Sequence, residues 1–473
     1  MLWDYQKQAV EFVGEVSKGY LAMGLGTGKT ITALSAGVQY SKKGGILVIA
    51  EKNEVVNSQN FMRESENFDG WNYYNLRDTM IGNWGLNEKV ICGINPDALD
   101  KVDIPALTIL FDVLVVDEST MAKNTSTARF KAIKRVADVM SHVILLSGTP
   151  MMNGASELYA PLLLLGHPLA GEGRVKDREA FENIFCSVYT IPNRNAKVKW
   201  LKIRVVKDAK YIRELRLLLE DQFYFLRKEE AGVFKKKNRR VKQIPMTVPW
   251  LIEYQQAWDE YMATLNVREF DTEKKKATFL KNVKQLKNLI ENGKVYQVNS
   301  KWKARQVVED IKKGEYGDKR IVIFSLFIET DDYICELLTE ACIKHRRFDD
   351  VREFKTGDEQ VLVGRIKAHG KGGNVPEASV VIMVDMDFVP ANNIQAENRI
   401  DRPEQKNEMD VVYYITEGED VVDAHVREIN REKNKAINEF MRPFAPGERD
   451  RVHESLAKLK REHYKNFNTL GYL

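Results

Sequence analysis

Residues 23–30 read Met23-Gly-Leu-Gly-Thr-Gly-Lys-Thr30, and this glycine-rich segment predicts a phosphate-binding loop. Its three alternating glycines let backbone N–H groups curl around phosphate oxygens, where any Cβ atom would intrude. The lysine can reach the β- and γ-phosphates of a nucleotide, and the last threonine can offer its hydroxyl to Mg²⁺. A helix that starts there points its positive end at the anion. The usual pattern has Gly where this chain has Met23. The predicted nucleotide-binding residues are Gly24, Gly26, Thr27, Gly28, Lys29 and Thr30, and Thr30 is also a predicted Mg²⁺ ligand.

A second segment, Val113-Leu-Val-Val-Asp-Glu-Ser-Thr120, supplies the carboxylates that complete such a site. A hydrophobic strand ending in Asp117 places that carboxylate beside the phosphate loop, where it can hold Mg²⁺ directly or through water. Glu118 adjoins it and is placed to polarise an attacking water as a general base. Together with the loop, this pair predicts a site that hydrolyses a nucleotide, with Lys29, Asp117 and Glu118 as catalytic residues.

Short apolar runs alternate with longer amphipathic segments around these motifs. In the first part of the chain the runs are Ile46–Ala50, Lys89–Gly93, Val113–Val116 and Val143–Ser147, with a helical pattern over Ser126–Met140. Continuous β-branched runs are typical of strands buried on both faces of a parallel sheet. The order therefore predicts a doubly wound α/β lobe. The alternation returns at Arg320–Phe324, Gln360–Val363, Ser379–Val384 and Val411–Ile415, which predicts a second lobe of the same kind.

The segment between the two lobes has helical patterns over Tyr211–Phe225, Leu251–Leu265 and Glu273–Glu291. The basic cluster Lys235-Lys-Lys-Asn-Arg-Arg240 is expected in a linker before the last two of these helices. We therefore expect an N-terminal lobe over residues 1–232 and a basic helical linker or insertion over residues 233–295. A C-terminal lobe over residues 296–440 and a polar helical tail over residues 441–473 follow.

The charge of the chain is unevenly distributed. The net charge is only +4, but residues 227–313 hold 21 Lys and Arg against 11 Asp and Glu. This segment has a net charge of +10, which leaves the rest of the chain at −6. Such asymmetry favours a segment that faces a polyanion. A solvated helical surface explains the same counts, and charge alone does not decide between the two.

Composition excludes several classes of protein. Of the 473 residues, 44% are hydrophobic and 30% charged, which is typical of a globular chain rather than a disordered one. The apolar runs are too short to span a membrane, and the N-terminus has no secretory signal, so we expect a soluble, cytoplasmic protein. The four cysteines have no Cys-x-x-Cys spacing and are expected to be reduced, buried thiols.

Further motifs in the first lobe resemble those of the superfamily-two helicase-like ATPases, and within them the Swi/Snf-like branch of double-stranded DNA translocases. The opening glutamine motif is matched by Leu2-Trp-Asp-Tyr-Gln6, and the resemblance implies that Gln6 reads adenine. Ile94-Asn-Pro-Asp-Ala-Leu99 is similar to the DNA-side motif of the first lobe. Ser147 and Thr149 match the motif that links the ATP site to the nucleic-acid groove. The resemblance covers residues 2 to about 430 and implies that both lobes are RecA-like.

The second lobe carries the same resemblance. Asp385-Met-Asp-Phe-Val-Pro390 matches the family's Asp-x-x-Trp-Asn-Pro with Phe388 for Trp, and Gln395-Ala-Glu-Asn-Arg-Ile-Asp-Arg-Pro-Glu-Gln405 is similar to the closing arginine motif. On a helix, Gln395, Arg399 and Arg402 would share one face. The resemblance implies that Gln395 contacts the nucleotide and that Arg399 and Arg402 are catalytic arginine fingers. The chain departs from the family in the segment Arg365–Asn374, where Arg365 replaces Ser and His369 replaces Gly.

The function that this resemblance implies is that of a nucleic-acid-dependent ATPase. It would use ATP and Mg²⁺ to move along double-stranded or branched DNA without sequence preference. A strand-separating DNA or RNA helicase is an alternative, because the same motor does both jobs. A non-catalytic nucleic-acid-binding scaffold is a second alternative, against which the intact Lys29, Asp117, Glu118 and Arg402 argue. We expect a monomer without membrane contact, of the minimal kind that bacteria and their phages encode.

Overall fold

The computed structural model describes residues 2–52, 55, 60–76, 88–152, 154–171, 175–192, 202–232, 236–264, 294–369, 373–402, 404–419 and 421–470. They form two compact units, unit 1 with residues 1–232 and 435–473 and unit 2 with residues 233–434. The predicted helix Glu273–Glu291 and Lys235 lie outside the described residues, as do residues 370–372 of the segment that departs from the family.

The sheet of unit 1 is parallel throughout. The strands of this unit are β1 (Lys18–Met23), β2 (Gly45–Ile49), β3 (Trp71–Asn75), β4 (Lys89–Ile94), β5 (Val113–Val116), β6 (His142–Ser147), β7 (Cys186–Pro192), β8 (Lys202–Ala209) and β9 (Phe223–Leu226). Among the described residues, seven of these strands pair in the order β3-β4-β2-β5-β6-β1-β9, with every neighbouring pair parallel. The strands β7 and β8 form a separate antiparallel pair.

Helices cover both faces of this sheet. They are α1 (Asp4–Val16), α2 (Lys29–Tyr40), α3 (Asn60–Ser65), α4 (Ile104–Leu110), α5 (Ala128–Val139), α6 (Tyr159–Leu165), α7 (Val175–Phe185) and α8 (Ile212–Leu219). Alternate residues of β5 enter different cores, because Leu114 and Val116 pack in one apolar cluster and Val113 and Val115 in another. Burial on both faces explains why the central strands are continuous apolar runs.

The last strand of this sheet differs from the sequence prediction. A helix was expected over Tyr211–Phe225, but α8 ends at Leu219 and Phe223–Leu226 is a strand that pairs with β1. A short apolar run of this kind fits either structure by its periodicity alone. Here the edge of β1 decides the outcome, because pairing with β9 satisfies the outer backbone groups of β1 and buries Phe223.

Unit 2 contains a second parallel sheet. Its strands are β10 (Lys237–Ile244), β11 (Ile321–Ser325), β12 (His345–Arg347), β13 (Val361–Arg365), β14 (Val380–Met383) and β15 (Met409–Thr416). In the described part of the chain these six strands pair in the order β10-β15-β14-β11-β13-β12. The helices are α9 (Val248–Thr264), α10 (Lys294–Lys312), α11 (Ile328–Glu340), α12 (Val351–Thr356), α13 (Ile366–His369), α14 (Pro390–Glu397) and α15 (Val422–Met441). Two parallel-sheet lobes of doubly wound α/β architecture are therefore present, as the sequence predicted.

The basic cluster is the main departure from the predicted domain organisation. It was expected in a linker, but Lys237–Ile244 forms the edge strand β10, paired with β15 along its whole length. The reason lies in its partners, because carboxylates of the same unit neutralise its cations. Lys242 pairs with Asp310 at 2.8 Å, and Arg240 lies 3.4 Å from Glu315. The strand pairs within the sheet of unit 2, which spans residues 233–434.

The C-terminal segment belongs to unit 1. The polar tail expected over residues 441–473 contains two helices, α16 (Glu448–Glu462) and α17 (Tyr464–Thr469). Arg213 of α8 holds this segment, because it donates to the carbonyl oxygens of Glu439 at 2.8 Å and Arg442 at 2.9 Å and to the Glu448 carboxylate at 2.9 Å. The change from unit 2 to unit 1 falls within α15 rather than at the predicted residue 441.

Two further observations concern chemistry and location. Among the described residues, no helix is both long and apolar enough to cross a membrane. All four cysteines are free thiols, of which Cys92 and Cys186 are buried. Cys342 is exposed, contrary to the expectation of buried thiols, because it follows the end of α11.

Candidate nucleotide site and nucleic-acid surface

The glycine-rich loop connects β1 to α2 at the carboxyl edge of the sheet of unit 1. Gly26 and Gly28 have φ of 82° and 77°, the left-handed region that glycine adopts without strain. Lys29 is the first residue of α2, and its side chain folds back so that Nζ donates to the carbonyl oxygen of Gly24 at 3.3 Å. Thr27 closes the loop by donating from Oγ1 to the same carbonyl at 2.7 Å. The ammonium group of Lys29 is thereby held inside the loop, where a phosphate group would need it.

Gln6 ties the start of the chain to this loop. It is buried in α1, accepts a hydrogen bond from the Trp3 backbone at 2.9 Å and donates from Nε2 to the Thr27 carbonyl at 3.1 Å. The fit is close, since a Cβ atom on Gly28 would lie 2.4 Å from Gln6 Nε2. The residue predicted to read adenine is therefore next to the residues predicted to bind phosphates.

The acidic pair lies at the same edge of the sheet. Because β5, β6 and β1 are neighbours and parallel, their carboxyl ends are adjacent, with Asp117 following β5 and Gly24 following β1. Two strand spacings correspond to about 10 Å between the chains. The loop after β6 lies between them, since a Cβ atom on Gly148 would lie 2.9 Å from the Leu25 side chain.

Glu118 has a conformation that requires support. Its φ is 43°, in the left-handed region that is uncommon for residues other than glycine. Its backbone N–H donates to the Asp117 carboxylate at 3.0 Å, and its own carboxylate accepts a hydrogen bond from Ser147 Oγ at 3.2 Å. Ser147 Oγ also accepts a hydrogen bond from the backbone of Thr149 at 3.1 Å. Of the two residues predicted to link hydrolysis to nucleic acid, Ser147 thus contacts the predicted general base directly and Thr149 contacts it through Ser147.

Sequence reasoning missed one participant in this arrangement. Tyr20 of β1 is fully buried, and Ser119 Oγ donates a hydrogen bond to its hydroxyl at 3.0 Å. No motif marks a tyrosine four positions before the glycine-rich loop, and an apolar strand provides no signal for a polar contact.

A surface pocket of about 580 Å³ lies at the carboxyl ends of β2 and β4. Its charged lining residues are the cations Lys52, Lys101 and Arg129 and the carboxylates Glu51 and Asp97. Asn95 also lines it and caps the turn Pro96–Lys101 by accepting from the Ala98 backbone at 3.0 Å. Arg129 also pairs with Asp97 at 2.9 Å. This pocket is formed by the Ile94–Leu99 motif that the sequence assigned to the DNA side of the first lobe.

Gln395, Arg399 and Arg402 lie near one another in unit 2, but not on one face of a helix. The helix α14 ends at Glu397, and Arg399 and Arg402 follow it in a turn. Ile400 is fully buried in the core, and Gln405 donates to its carbonyl oxygen at 3.1 Å and to that of Ala378 at 2.8 Å. The helix cannot continue while Ile400 is anchored in this way, and Pro403 also disfavours helical conformation at the residue before it.

A buried ion-pair cluster fixes this turn to β10. Glu397 accepts from Arg239 Nε at 2.8 Å and from the Tyr413 hydroxyl at 2.6 Å, and it lies 3.3 Å from Lys237 Nζ. Although burial favours the neutral acid, the cations of Lys237 and Arg239 hold the pKa of Glu397 below its ordinary value. Lys237 also pairs with Asp401 at 3.2 Å, one residue before Arg402. The basic strand therefore supports the arginine segment.

The other second-lobe motifs have internal partners. Asp385 is buried, accepts from Ser300 Oγ at 2.7 Å and lies 3.3 Å from the buried Lys303. The residues that depart from the family also contact their own unit. His369 Nδ1 accepts from the Arg365 backbone at 2.9 Å, and its ring stacks on Phe348 at 5.2 Å.

The comparisons with known proteins agree with this architecture. Residues 89–295 match the SNF2-related domain, residues 281–404 match the helicase conserved C-terminal domain, and residues 1–152 match the type III restriction enzyme res subunit. The two parallel-sheet units and these matches agree on a two-lobe architecture of helicase type. Over these segments the chain is similar to the Swi/Snf-like branch of the superfamily-two helicase-like ATPases.

Individual relatives are longer than this chain. The SWI/SNF-related matrix-associated actin-dependent regulator of chromatin subfamily A-like protein 1 of Xenopus tropicalis is 24% identical over 463 residues, covering 93% of this chain and 45% of the relative. The ATP-dependent helicase FUN30 of Saccharomyces cerevisiae is 22% identical over 532 residues, covering 91% and 46%. The chain therefore spans about half the length of these relatives. A solved structure, the Sulfolobus solfataricus SWI2/SNF2 ATPase core in complex with dsDNA, is 16% identical with a TM-score of 0.40, covering 94% of this chain and 98% of that one.

Proposed function

We propose that this protein is a DNA-dependent ATPase that uses ATP hydrolysis to translocate along duplex or branched DNA. The observation that carries the proposal is the arrangement in unit 1. The loop around Lys29, the Asp117–Glu118 pair and the Ser147 loop follow three adjacent parallel strands. In open α/β sheets, ligands bind at the carboxyl ends of the strands.

The residues of unit 1 fit ATP and Mg²⁺. At the left-handed Gly26 and Gly28 the loop carries no Cβ atom, and Lys29 Nζ donates to a loop carbonyl that a phosphate oxygen can replace. Gln6 is adjacent to the loop and can contact the adenine base of the nucleotide. Thr30 and Asp117 are the oxygen donors for Mg²⁺. The ion neutralises charge on the β- and γ-phosphates when it is bound.

The proposed roles in hydrolysis follow from these positions. Lys29 stabilises the charge that develops on the γ-phosphate, and Glu118 orients the attacking water. Arg399 and Arg402 act from unit 2 as arginine fingers when the lobes close on ATP, with Gln395 contacting the nucleotide. Because Ser147 Oγ donates a hydrogen bond to the Glu118 carboxylate, a change at Glu118 during hydrolysis alters the contacts of Ser147.

The proposed DNA contact of unit 1 is the pocket lined by Lys52, Lys101 and Arg129. Lys52 and Lys101 are exposed, so they can neutralise phosphates without first breaking a buried ion pair. Phosphate contacts carry no sequence information, and the binding should therefore be independent of sequence and weaken with salt. The similarity to a regulator of chromatin and to an ATP-dependent helicase supports a substrate of this class.

The direct test is steady-state ATP hydrolysis by the full chain without nucleic acid and with duplex DNA, single-stranded DNA or RNA. We expect duplex or branched DNA to stimulate hydrolysis most. Equal or greater stimulation by single strands or by RNA supports the strand-separating alternative. No hydrolysis under any condition supports the scaffold alternative and contradicts the proposal.

The pocket has its own test in the salt dependence of DNA affinity. Replacing both Lys52 and Lys101 by Ala should reduce the slope of log affinity against log salt by about 0.9 for each lost contact. Lys458→Ala, which removes an exposed lysine from α16, is the matched control and should leave the slope unchanged. An unaltered slope in the double variant would show that the DNA does not bind at this pocket.

A further inference from the structure

Tyr20 combines an apolar ring with a hydroxyl group that packing does not require. The residue is fully buried in β1, and its ring stacks on Phe223 of β9 with the centroids 4.6 Å apart and the planes inclined by 6°. A phenylalanine would fill the same space and keep this stacking. The hydroxyl therefore needs a separate explanation.

The hydroxyl of Tyr20 is placed among the residues of the hydrolytic site. Ser119 Oγ donates to it at 3.0 Å, and Ser119 is the residue directly after Glu118. Burial raises the pKa of Tyr20, and the nearby charge of Glu118 raises it further. The hydroxyl groups of Ser119 and Ser147 lower this pKa, but by less than burial raises it. The phenol therefore keeps its proton, which it can donate within this group of oxygens.

Glu118 is held between the two serines that surround this hydroxyl. Ser119 is joined to it by a peptide bond, and Ser147 Oγ donates to its carboxylate at 3.2 Å. Glu118 also has a left-handed backbone, which persists only where surrounding contacts fix it. Anchoring Ser119 fixes the backbone of the neighbouring Glu118. Anchoring Ser147, the hydrogen-bond donor, fixes the carboxylate of Glu118.

We propose that Tyr20 is a positioning residue for ATP hydrolysis, whose hydroxyl fixes the orientation of Glu118 through Ser119 and Ser147. The inference rests on the proposed function and deepens it, since it assigns a role to a residue outside every recognised motif. Because β1 leads directly into the glycine-rich loop, the same residue connects phosphate binding to the alignment of the attacking water.

The test is Tyr20→Phe in the full chain, which removes one oxygen atom and leaves the ring. We expect kcat of DNA-stimulated hydrolysis to fall about tenfold, as for a lost supporting hydrogen bond, with KM for ATP changed less than twofold. Tyr73→Phe is the matched control, because the hydroxyl of this half-buried residue donates to the Val55 carbonyl at 3.0 Å in the same unit but outside the site. The control should hydrolyse ATP at the wild-type rate.

A second comparison separates positioning from general damage to the fold. In the Glu118→Gln background, adding Tyr20→Phe should reduce kcat by less than twofold, because the hydroxyl acts through Glu118. Should Tyr20→Phe fail to fold, Ser119→Ala removes the same hydrogen bond from the other side and should show the same loss of kcat.

The outcomes distinguish this inference from the proposed function. A wild-type chain without ATPase activity contradicts the proposed function itself. An active wild type with Tyr20→Phe and Ser119→Ala at the wild-type rate overturns the positioning role alone. An equal loss in the Tyr73→Phe control, or a full tenfold loss in the Glu118→Gln background, also overturns it.

Discussion

Replacing Glu397 by Gln should loosen the strand β10 and the arginine segment together. The substitution keeps the volume of the side chain and an acceptor for Tyr413, but it leaves the cations of Lys237 and Arg239 without their shared carboxylate. Removing one partner of a buried ion pair costs about 3–5 kcal/mol. Arg239 is half-exposed, and Lys237 keeps Asp401 and Asn398, so we expect a smaller cost of about 2 kcal/mol, below that range.

Amide hydrogen exchange measures this cost locally. Peptides that cover residues 237–244 report the free energy of opening of β10 without requiring that both units unfold together. A loss of about 2 kcal/mol corresponds to roughly thirtyfold faster exchange, since 1.36 kcal/mol is a factor of ten. Peptides from the sheet of unit 1 should exchange at the wild-type rate.

The matched control is Glu428→Gln. It makes the same chemical change at an exposed ion pair with Arg431 on α15, where 51% of the carboxylate side chain is exposed. Exposed pairs contribute little, so exchange in β10 should not change. Less than threefold faster exchange in β10 of Glu397→Gln would show that the cluster does not hold the strand in place.

Three further predictions concern the site and pH. Lys29→Ala and Glu118→Gln should each lower ATP turnover about a hundredfold or more. Glu118→Gln should still bind ATP in an equilibrium binding measurement. Near-normal turnover in either variant refutes the catalytic role proposed for that residue. Arg402→Ala should abolish the stimulation of hydrolysis by DNA, and a stimulated rate equal to wild type would exclude the arginine-finger role. Burial raises the pKa of Asp331 from 3.8 to about 6 despite the nearby Arg365. The contribution of this carboxyl group to the stability of the folded protein is therefore lost as the pH rises from about 4 to 6. Asp331→Asn should therefore raise the melting temperature at pH 8 more than at pH 5, and an equal effect at both values would contradict this.

The motifs and the central strands could be predicted from sequence because their signals are local. The run Val113–Val116 is buried on both faces and therefore apolar at every position, which is visible without a structure. The loop around Lys29 needs glycine at the positions with a left-handed backbone, and these glycines are also close together in the sequence.

The strand β10 could not be predicted, because its charges are explained only by distant partners. Lys237 and Arg239 meet Glu397 about 160 positions later in the chain, and a count of cations alone favours a polyanion as their partner. The end of α14 was missed for a related reason. Helical spacing places Arg399 and Arg402 on one face, but α14 ends at Glu397, before both residues.

The role of Tyr20 was also hidden at the level of sequence. A tyrosine in an apolar strand is explained by packing, and its contact with Ser119 depends on the pairing of β1, β6 and β5. Local patterns are therefore enough to predict the residues of the proposed phosphate site, whereas the groups that support them become visible only in the fold.

The measurement that tests the central claim most directly is the release of a third DNA strand bound to one end of a long duplex. A motor that moves along duplex DNA should displace this strand in a reaction that requires ATP, with a delay that grows with the distance to it. Lys29→Ala should release none, although it binds the same duplex. If the wild-type chain hydrolyses ATP on this duplex but never displaces the third strand, the protein is not a duplex translocase and the account is contradicted.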